Sequence, residues 1–444
     1  MNLNEYINVV HNGNQTWFLD EVKNYGNQKR ILDTIYIKKY LSGEHKIGNR
    51  VIENYNGKPY EKRTITLQYG KLIVNLESSH LLKNPLTLVG KDEIVTEMTR
   101  IYKNGKYNNV DFTILNNLIK YGNAYEYVYI DDKGRVTSKV INTENGHPIY
   151  NDENNMISFV EYYETLESKW YVVYSDKEVV KYSDVGGNGL REMSRNKNIT
   201  GLPIHYHNTD ELNYSFGKSD LHDFINIIDS MEDLLSKFSD SFYKFHNPIP
   251  VVIGQQLKGD GLNQNVVGGG LVLDDNSDFK LVSNQLNHEA FNTIYSTLKQ
   301  ELINIASIPS VSLNIADVSN LSETSMKILY QLADIKASIN EKYLRDGLEE
   351  RFDKILVVLA KKGKEFNEEE RDSLDIVFHY ARPVNEKDVI ENLVLLSEIN
   401  AISKETVMDI APFITNSKTE LERIRIQESE WLKWVRCNGK LKRT

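Results

Sequence analysis

The order of parts between Ser219 and Gly363 constrains this chain more than any other feature. A capped, apolar-seamed helix leads into a strand- and glycine-rich insertion, and a second seamed helix closes it. After Ile308-Pro309 a short polar loop precedes a helix of about forty residues. Ser219 and Asp220 are N-cap types and Asp223 falls in the first turn, while Leu221, Ile225, Ile228, Met231, Leu235, Phe238, Phe242 and Phe245 alternate three- and four-residue spacing. Such a narrow seam packs on neighbouring helices. In the returning helix Phe291, Ile294, Leu298, Leu302, Ile305 and Ile308 repeat the spacing, and Pro309 ends it by disfavouring helical geometry at the residue before it. The insertion, 247–287, has apolar runs at 249–253, 270–273 and 279–282 between Gly-, Asn- and Asp-rich turns, which predicts a β-rich lobe held on two helices.

The long helix is expected to run from a cap near Ser322 through Met326, Leu329, Leu332, Ile335, Ile339, Tyr343, Leu348, Phe352, Ile355 and Leu359 to Gly363. Gly347 weakens its interior by about 1 kcal/mol, so a bend is expected there. Earlier in the chain, helical spacing covers 16–41 with a break at Gly26 and a stop at Gly43, then 72–82 and 111–121. The period then changes to two. Tyr-, Val- and Ile-rich runs at 124–130, 135–141, 156–164, 170–175 and 179–182, with a hairpin turn at Asp131-Asp132-Lys133-Gly134, predict an antiparallel sheet with one solvated face. Residues 184–199 read as a mobile polar loop, and a strand at 374–380 precedes short helices starting near Asn385, Ser403 and Ser417. The resulting fold class is α+β.

At 444 residues, 40% hydrophobic and 26% charged, the chain is globular and large enough for more than one domain. A net charge of -10 argues against a surface that grips nucleic acid throughout. The single Cys437 excludes a disulfide framework and a multi-cysteine zinc site. Met1 to Glu5 lacks a basic then apolar leader, and the apolar runs are too short to span a bilayer, which predicts a soluble, unexported chain with no membrane partner.

Chemical motifs are suggested and then refused. Gly217-Lys218-Ser219 at a helix start imitates the end of a phosphate-binding loop, but Leu212 stands where that motif requires glycine. His205 and His207 share a strand face without further ligands at metal-site spacing, so they read as surface polar residues. Asp274-Asp275 reads as a turn rather than a two-metal nuclease site. The sequence therefore assigns no catalytic residue, cofactor or metal. Its basic tail, with Lys433, Arg436, Lys440, Lys442 and Arg443, reads as a solvated terminus.

With its parts in order, the chain resembles the SPP1-like portal proteins of tailed bacteriophages of Gram-positive hosts. The resemblance is carried by Ile37 to His45, by Leu115 to Asp132 with Tyr121-Gly122-Asn123-Ala124-Tyr125, and by Leu202 to Asn208 leading into Ser219-Asp220-Leu221. Leu321 to Ser325 and Phe378 to Asn385 continue it. It implies a wing formed by 1–216 with the long helix and strand of 324–384. Stem helices at 217–246 and 288–308 would flank a clip at 247–287, followed by a tunnel loop at 309–323, crown helices at 385–430 and the tail 431–444. It implies no enzyme but a dodecameric ring at one capsid vertex of the virion, assembled in the host cytoplasm. Double-stranded DNA would be packaged through the ring by the terminase large subunit and later leave by it. A head-tail connector and the scaffolding and major capsid proteins would be the other partners. Gln255, Gln256, Lys258, Asp260, Asn263, Gln264, Asn265, Asp274 and Asp275 would lie in the clip that docks terminase and connector.

The residues agree with that picture. The proposed loop, Val311, Ser312, Leu313, Asn314, Ile315, Ala316, Asp317, Val318, Ser319, Asn320 and Leu321, has no Lys or Arg, so it can touch DNA without the phosphate contacts that would trap a sliding duplex. A ring needs two different faces of each subunit to meet, and Phe238, Phe242, Leu298, Leu332, Ile339 and Tyr343 are the interface candidates. Twelve copies would carry about -120, making assembly salt-sensitive. The alternatives are a metal-dependent, nuclease-like phage DNA-processing enzyme and a monomeric α+β adaptor module.

Overall fold

A computed structural model describes residues 1–49, 53–55, 58–60, 62–187, 189–245, 249–254, 277–282, 287–309, 323–382, 386–414, 417 and 419–428. The chain forms two compact units, Met1–Pro309 with Leu332–Ala381, and Ser310–Gln331 with Arg382–Thr444. The elements begin with α1 (Leu3–Val10), α2 (Phe18–Lys23), α3 (Tyr25–Ser42), β1 (Glu53–Tyr55), β2 (Lys58–Tyr60), α4 (Tyr69–Leu82), β3 (Thr87–Val89), α5 (Asp92–Gly105) and α6 (Tyr107–Tyr121). The strands β4 (Asn123–Ile130), β5 (Val136–Ile141), β6 (Gly146–Tyr150), β7 (Met156–Thr165), β8 (Ser168–Tyr174), β9 (Glu178–Ser183), β10 (Arg191–Lys197) and β11 (Ile204–His207) follow. Then come α7 (Ile225–Phe245), β12 (Ile249–Ile253), β13 (Asp278–Val282), α8 (His288–Ile305), α9 (Glu323–Lys361), α10 (Glu368–Asp372) and β14 (Asp375–Val377). In the second unit, α11 (Glu386–Glu398) precedes α12 (Lys404–Ile410), which Ser403 caps.

The β region is two sheets rather than one. β10-β9-β8-β7-β6 form a five-stranded antiparallel sheet and β11-β4-β5 a three-stranded one. Strand alternation sorts their side chains into layers. Phe159, Val172 and Tyr174 meet Tyr125 and Ile141 between the sheets, whereas Val160, Tyr171 and Val173 face Trp17, Phe18 and Val22 around α2. On β4, Ala124 and Val128 turn the other way, into the main core built with α4, α5, α6 and α9. The expected solvated face is thus covered on both sheets. The near-continuous apolar runs of β7 and β8 are the mark of strands buried on two sides. Residues 191–197, expected in a loop, form β10; its side chains are all exposed and, Met193 apart, charged or polar, as suits a sheet edge, and so give no apolar alternation to read.

Helix α9 runs through Gly347 as one helix. Its expected single seam divides in two: Leu344, Leu348, Phe352, Ile355, Val358 and Leu359 are buried in the main core, while Leu332, Ile335 and Ile339 are exposed. Lys336 of α9 pairs with Asp220 at 2.8 Å beside the buried Glu77 of α4. Burial, and then the charge of Asp220, push the Glu77 carboxyl up to about 8, against the pull of Lys336 and Asn340. One lysine cannot offset two buried carboxylates, so the proton stays on one of them. Since this folded-state pKa is raised, the contribution to stability is complete below the unfolded value and is lost as pH rises through about 8. Glu77→Gln is therefore expected to flatten the fall in melting temperature between about pH 5 and 8. An unchanged slope would assign that fall to other groups.

Candidate stem junction and subunit-interface surfaces

The passage from the sheets into α7 is set by two glycines in backbone contact. Gly122 ends α6 at φ +71 in the left-handed region, and Gly217 lies against it. A Cβ on Gly122 would collide with the backbone of Gly217 and Lys218, and one on Gly217 with the Gly122 carbonyl oxygen and Asn208. Two amide side chains then clasp the approaching strand of chain. Asn123 Oδ1 accepts from Gly217 N at 3.0 Å and its Nδ2 donates to Gly217 O at 2.9 Å. Asn208 does the same for Lys218, accepting at 2.8 Å and donating at 2.8 Å. Ser219 next accepts from Leu221 N at 3.2 Å and caps a 3₁₀ turn, Asp220–Asp223, that leads into α7. The phosphate-loop-like Gly217-Lys218-Ser219 thus spends its polar backbone on holding the junction.

His205 belongs to this network and is not the surface residue expected. Tyr150 Oη donates to its Nδ1 at 2.5 Å, and its Nε2 donates to Asn123 Oδ1 at 3.0 Å. Burial foremost, then His207 and Arg30, hold its pKa well below the ordinary value, so it is neutral. No group of three or more metal-ligating side chains occurs among the described residues.

Helices α7 and α8 pack antiparallel. Ile225, Ile228 and Met231 at the start of α7 share the main core with Leu302, Ala306 and Ile308 at and beyond the end of α8. Toward the far end, Phe238 stacks on Phe291 with ring centroids 4.0 Å apart. The two helices carry β12 and β13, paired antiparallel from Ile249↔Val282 to Ile253↔Asp278.

A second face of α7 is held by a ladder with no counterpart in the sequence reading. Glu232 accepts from Leu67 N at 2.7 Å, Ser236 Oγ from Ile65 N at 3.0 Å and Asp240 from Arg63 N at 2.9 Å. Acceptors four residues apart on a helix rise about 6 Å. Alternate donors on an extended chain rise about 6.6 Å, so the two repeats match over three rungs. His45 contacts the same Glu232 carboxylate at 2.6 Å. Burial raises the pKa of Glu232, opposed by the Leu67 N–H and His45.

Helix α9 is fixed to the rest of its unit by a fully buried Arg351. Its Nε donates to the Glu126 carboxylate at 2.9 Å, and its Nη1 donates to Asp111 and, at 3.2 Å, to Tyr102 Oη. Tyr206 Oη donates to Glu126 at 2.6 Å and contacts the Gly347 carbonyl at 3.1 Å. A Cβ on Gly347 would enter the Tyr206 ring, so the glycine serves close packing rather than a bend.

The interface candidates separate by exposure. Phe238 is used between α7 and α8, Leu298 packs partly against the main core, and Tyr343 is half-buried, with its Oη 3.0 Å from Thr209 Oγ1. Phe242, Leu332 and Ile339 are exposed, and so are Ile294 and Ile335 from the same seams. The tunnel-loop candidates Val311 to Leu321 and the clip candidates Gln255 to Asp275 lie outside the described residues. No described helix is long and apolar enough to cross a membrane.

The family model for phage portal proteins of the SPP1 Gp6-like type matches residues 20–431. The chain belongs to this family, and its role is that of a phage portal protein. Portal proteins are structural components rather than catalysts. Among curated relatives, the portal protein of Bacillus phage SPP1 is 22% identical over 408 residues, covering 84% of this chain and 76% of the relative. Among solved structures, a chain of the virion of a native gene transfer agent particle is 12% identical with a TM-score of 0.46, covering 88% of this chain and 92% of that one. A chain of the neck of the native particle, computed with C12 symmetry, is 12% identical with a TM-score of 0.44, covering 77% and 88%.

Proposed function

We propose that this protein assembles into a ring that lines a DNA channel at one capsid vertex of the virion. The observation that carries this reading is the family match across 20–431, nearly the whole chain. The fold supports it, because α7 and α8 form an antiparallel pair that projects the β12–β13 hairpin away from the core, as a stem would carry a clip. Residues 310–323 would face the duplex, and their lack of Lys and Arg lets DNA slide. The clip residues would dock terminase and then the head-tail connector, and the wing would meet the scaffolding and capsid proteins. Twelve subunits is the expected number.

Negative-stain microscopy and native mass measurement of the purified protein are expected to find closed rings, favoured by added salt because of the shared negative charge. Monomers persisting across salt and concentration would overturn the ring and favour the adaptor reading.

A further inference from the structure

We propose that each ring contact is made by seating the exposed α9 ridge of one copy, Leu332, Ile335 and Ile339, in the groove between α7 and α8 of the next copy. The inference rests on the ring reading above and names the two faces that meet. The ridge residues are 48%, 50% and 40% exposed, and they point away from the buried side of α9 marked by Ala333, Ala337 and Leu344. At 100° per residue the two sets lie on opposite sides of the helix, so the ridge has no use in packing its own unit.

The groove has a volume of about 630 Å³ and an apolar floor of Leu234, Ile294 and Leu298, with Ile294 51% exposed. Charges on its rim are already paired, Lys46 with Asp229 at 2.9 Å and Lys237 with Asp233 at 2.7 Å. A charged occupant would gain little there, whereas an apolar one removes the floor from water inside a polar rim, the usual anatomy of a protein contact. Lengths agree as well. The ridge runs over eight residues, about 10 Å, and the α7 wall from Asn226 to Lys237 about 16 Å.

A second copy is the occupant these observations favour. Groove and ridge are different faces of one unit, each present once per chain and each exposed, so neither satisfies the other within its own subunit. That is the arrangement a head-to-tail ring requires.

The test uses the full-length chain with Cys437→Ser, so that only introduced thiols react. With Ile294→Cys and Ile335→Cys together, a short bis-maleimide is expected to give a ladder of linked subunits on a denaturing gel. Either cysteine alone should give none. Rings without a ladder would overturn the proposed contact while leaving the ring intact; dimers from a single cysteine would do the same, since they would mean a two-fold contact. Unsubstituted protein that forms no ring would overturn the ring reading and this contact with it. As a second measurement, Ile335→Glu is expected to lower ring yield about tenfold or more with an unchanged melting temperature, the effect of losing one central apolar contact. Rings at the unsubstituted yield would overturn the proposal.

Discussion

Arg351→Met is expected to lower folding stability by about 3–5 kcal/mol, the largest single-residue effect anticipated in this chain. The guanidinium is fully buried between Asp111 and Glu126, with Tyr102 and Tyr206 completing the network. Methionine fills much of the space but leaves two carboxylates without a counter-charge in a medium that solvates them poorly. Burial already pushes Asp111 up to about 6 despite Arg351, so in the variant the orphaned Asp111 should take up a proton on acidification. The penalty is therefore expected to shrink as pH is lowered from 8 toward 5. Adding Asp111→Asn and Glu126→Gln to the variant should recover a large part of the loss. Denaturant melts of the three proteins would decide, and a loss below about 1 kcal/mol would mean the network does not hold α9.

The second large effect is expected at the junction. Gly217→Ala places a methyl group against the Gly122 carbonyl and Asn208, and both neighbours are fixed by hydrogen bonds. Overpacking of this kind costs about 1–3 kcal/mol, and Gly122→Ala adds about 1 kcal/mol for a side chain at positive φ. Gly134→Ala is the control, because that residue has φ +73 but nothing within 4 Å of its added Cβ, so only the conformational cost remains. If the junction variants melt no lower than the control, the two backbones can part without loss and the clasp does not position α7.

Much of the architecture was legible because it rests on local periodicity. The seams of α7 and α8, the β4–β5 hairpin, Gly43 and Gly122 as helix ends, and the Ser403 cap all depend on residues within a few positions of one another. What escaped depends on partners far along the chain. Arg351 looks like one more charge in a solvated run, since Asp111 and Glu126 precede it by 240 and 225 residues. His205 read as surface polar because Tyr150 and Asn123 are brought to it only by folding. Helix α9 read as one seam because apolar spacing alone does not say which stretch faces its own core. For the interface, the candidates were named as apolar residues, but which of them stay exposed needed the packing.

The ladder on α7 limits how that helix could move. Turning α7 by one residue, about 100°, would withdraw all three acceptors from Leu67, Ile65 and Arg63 together. Advancing it by one helical turn with the donor segment 63–67, the strap, in place would leave two of the three rungs able to re-form. The pair therefore behaves like a rack meshed with its rail: it resists rotation strongly, and an axial load on the helix passes into the strap and on toward the β1–β2 hairpin that precedes it.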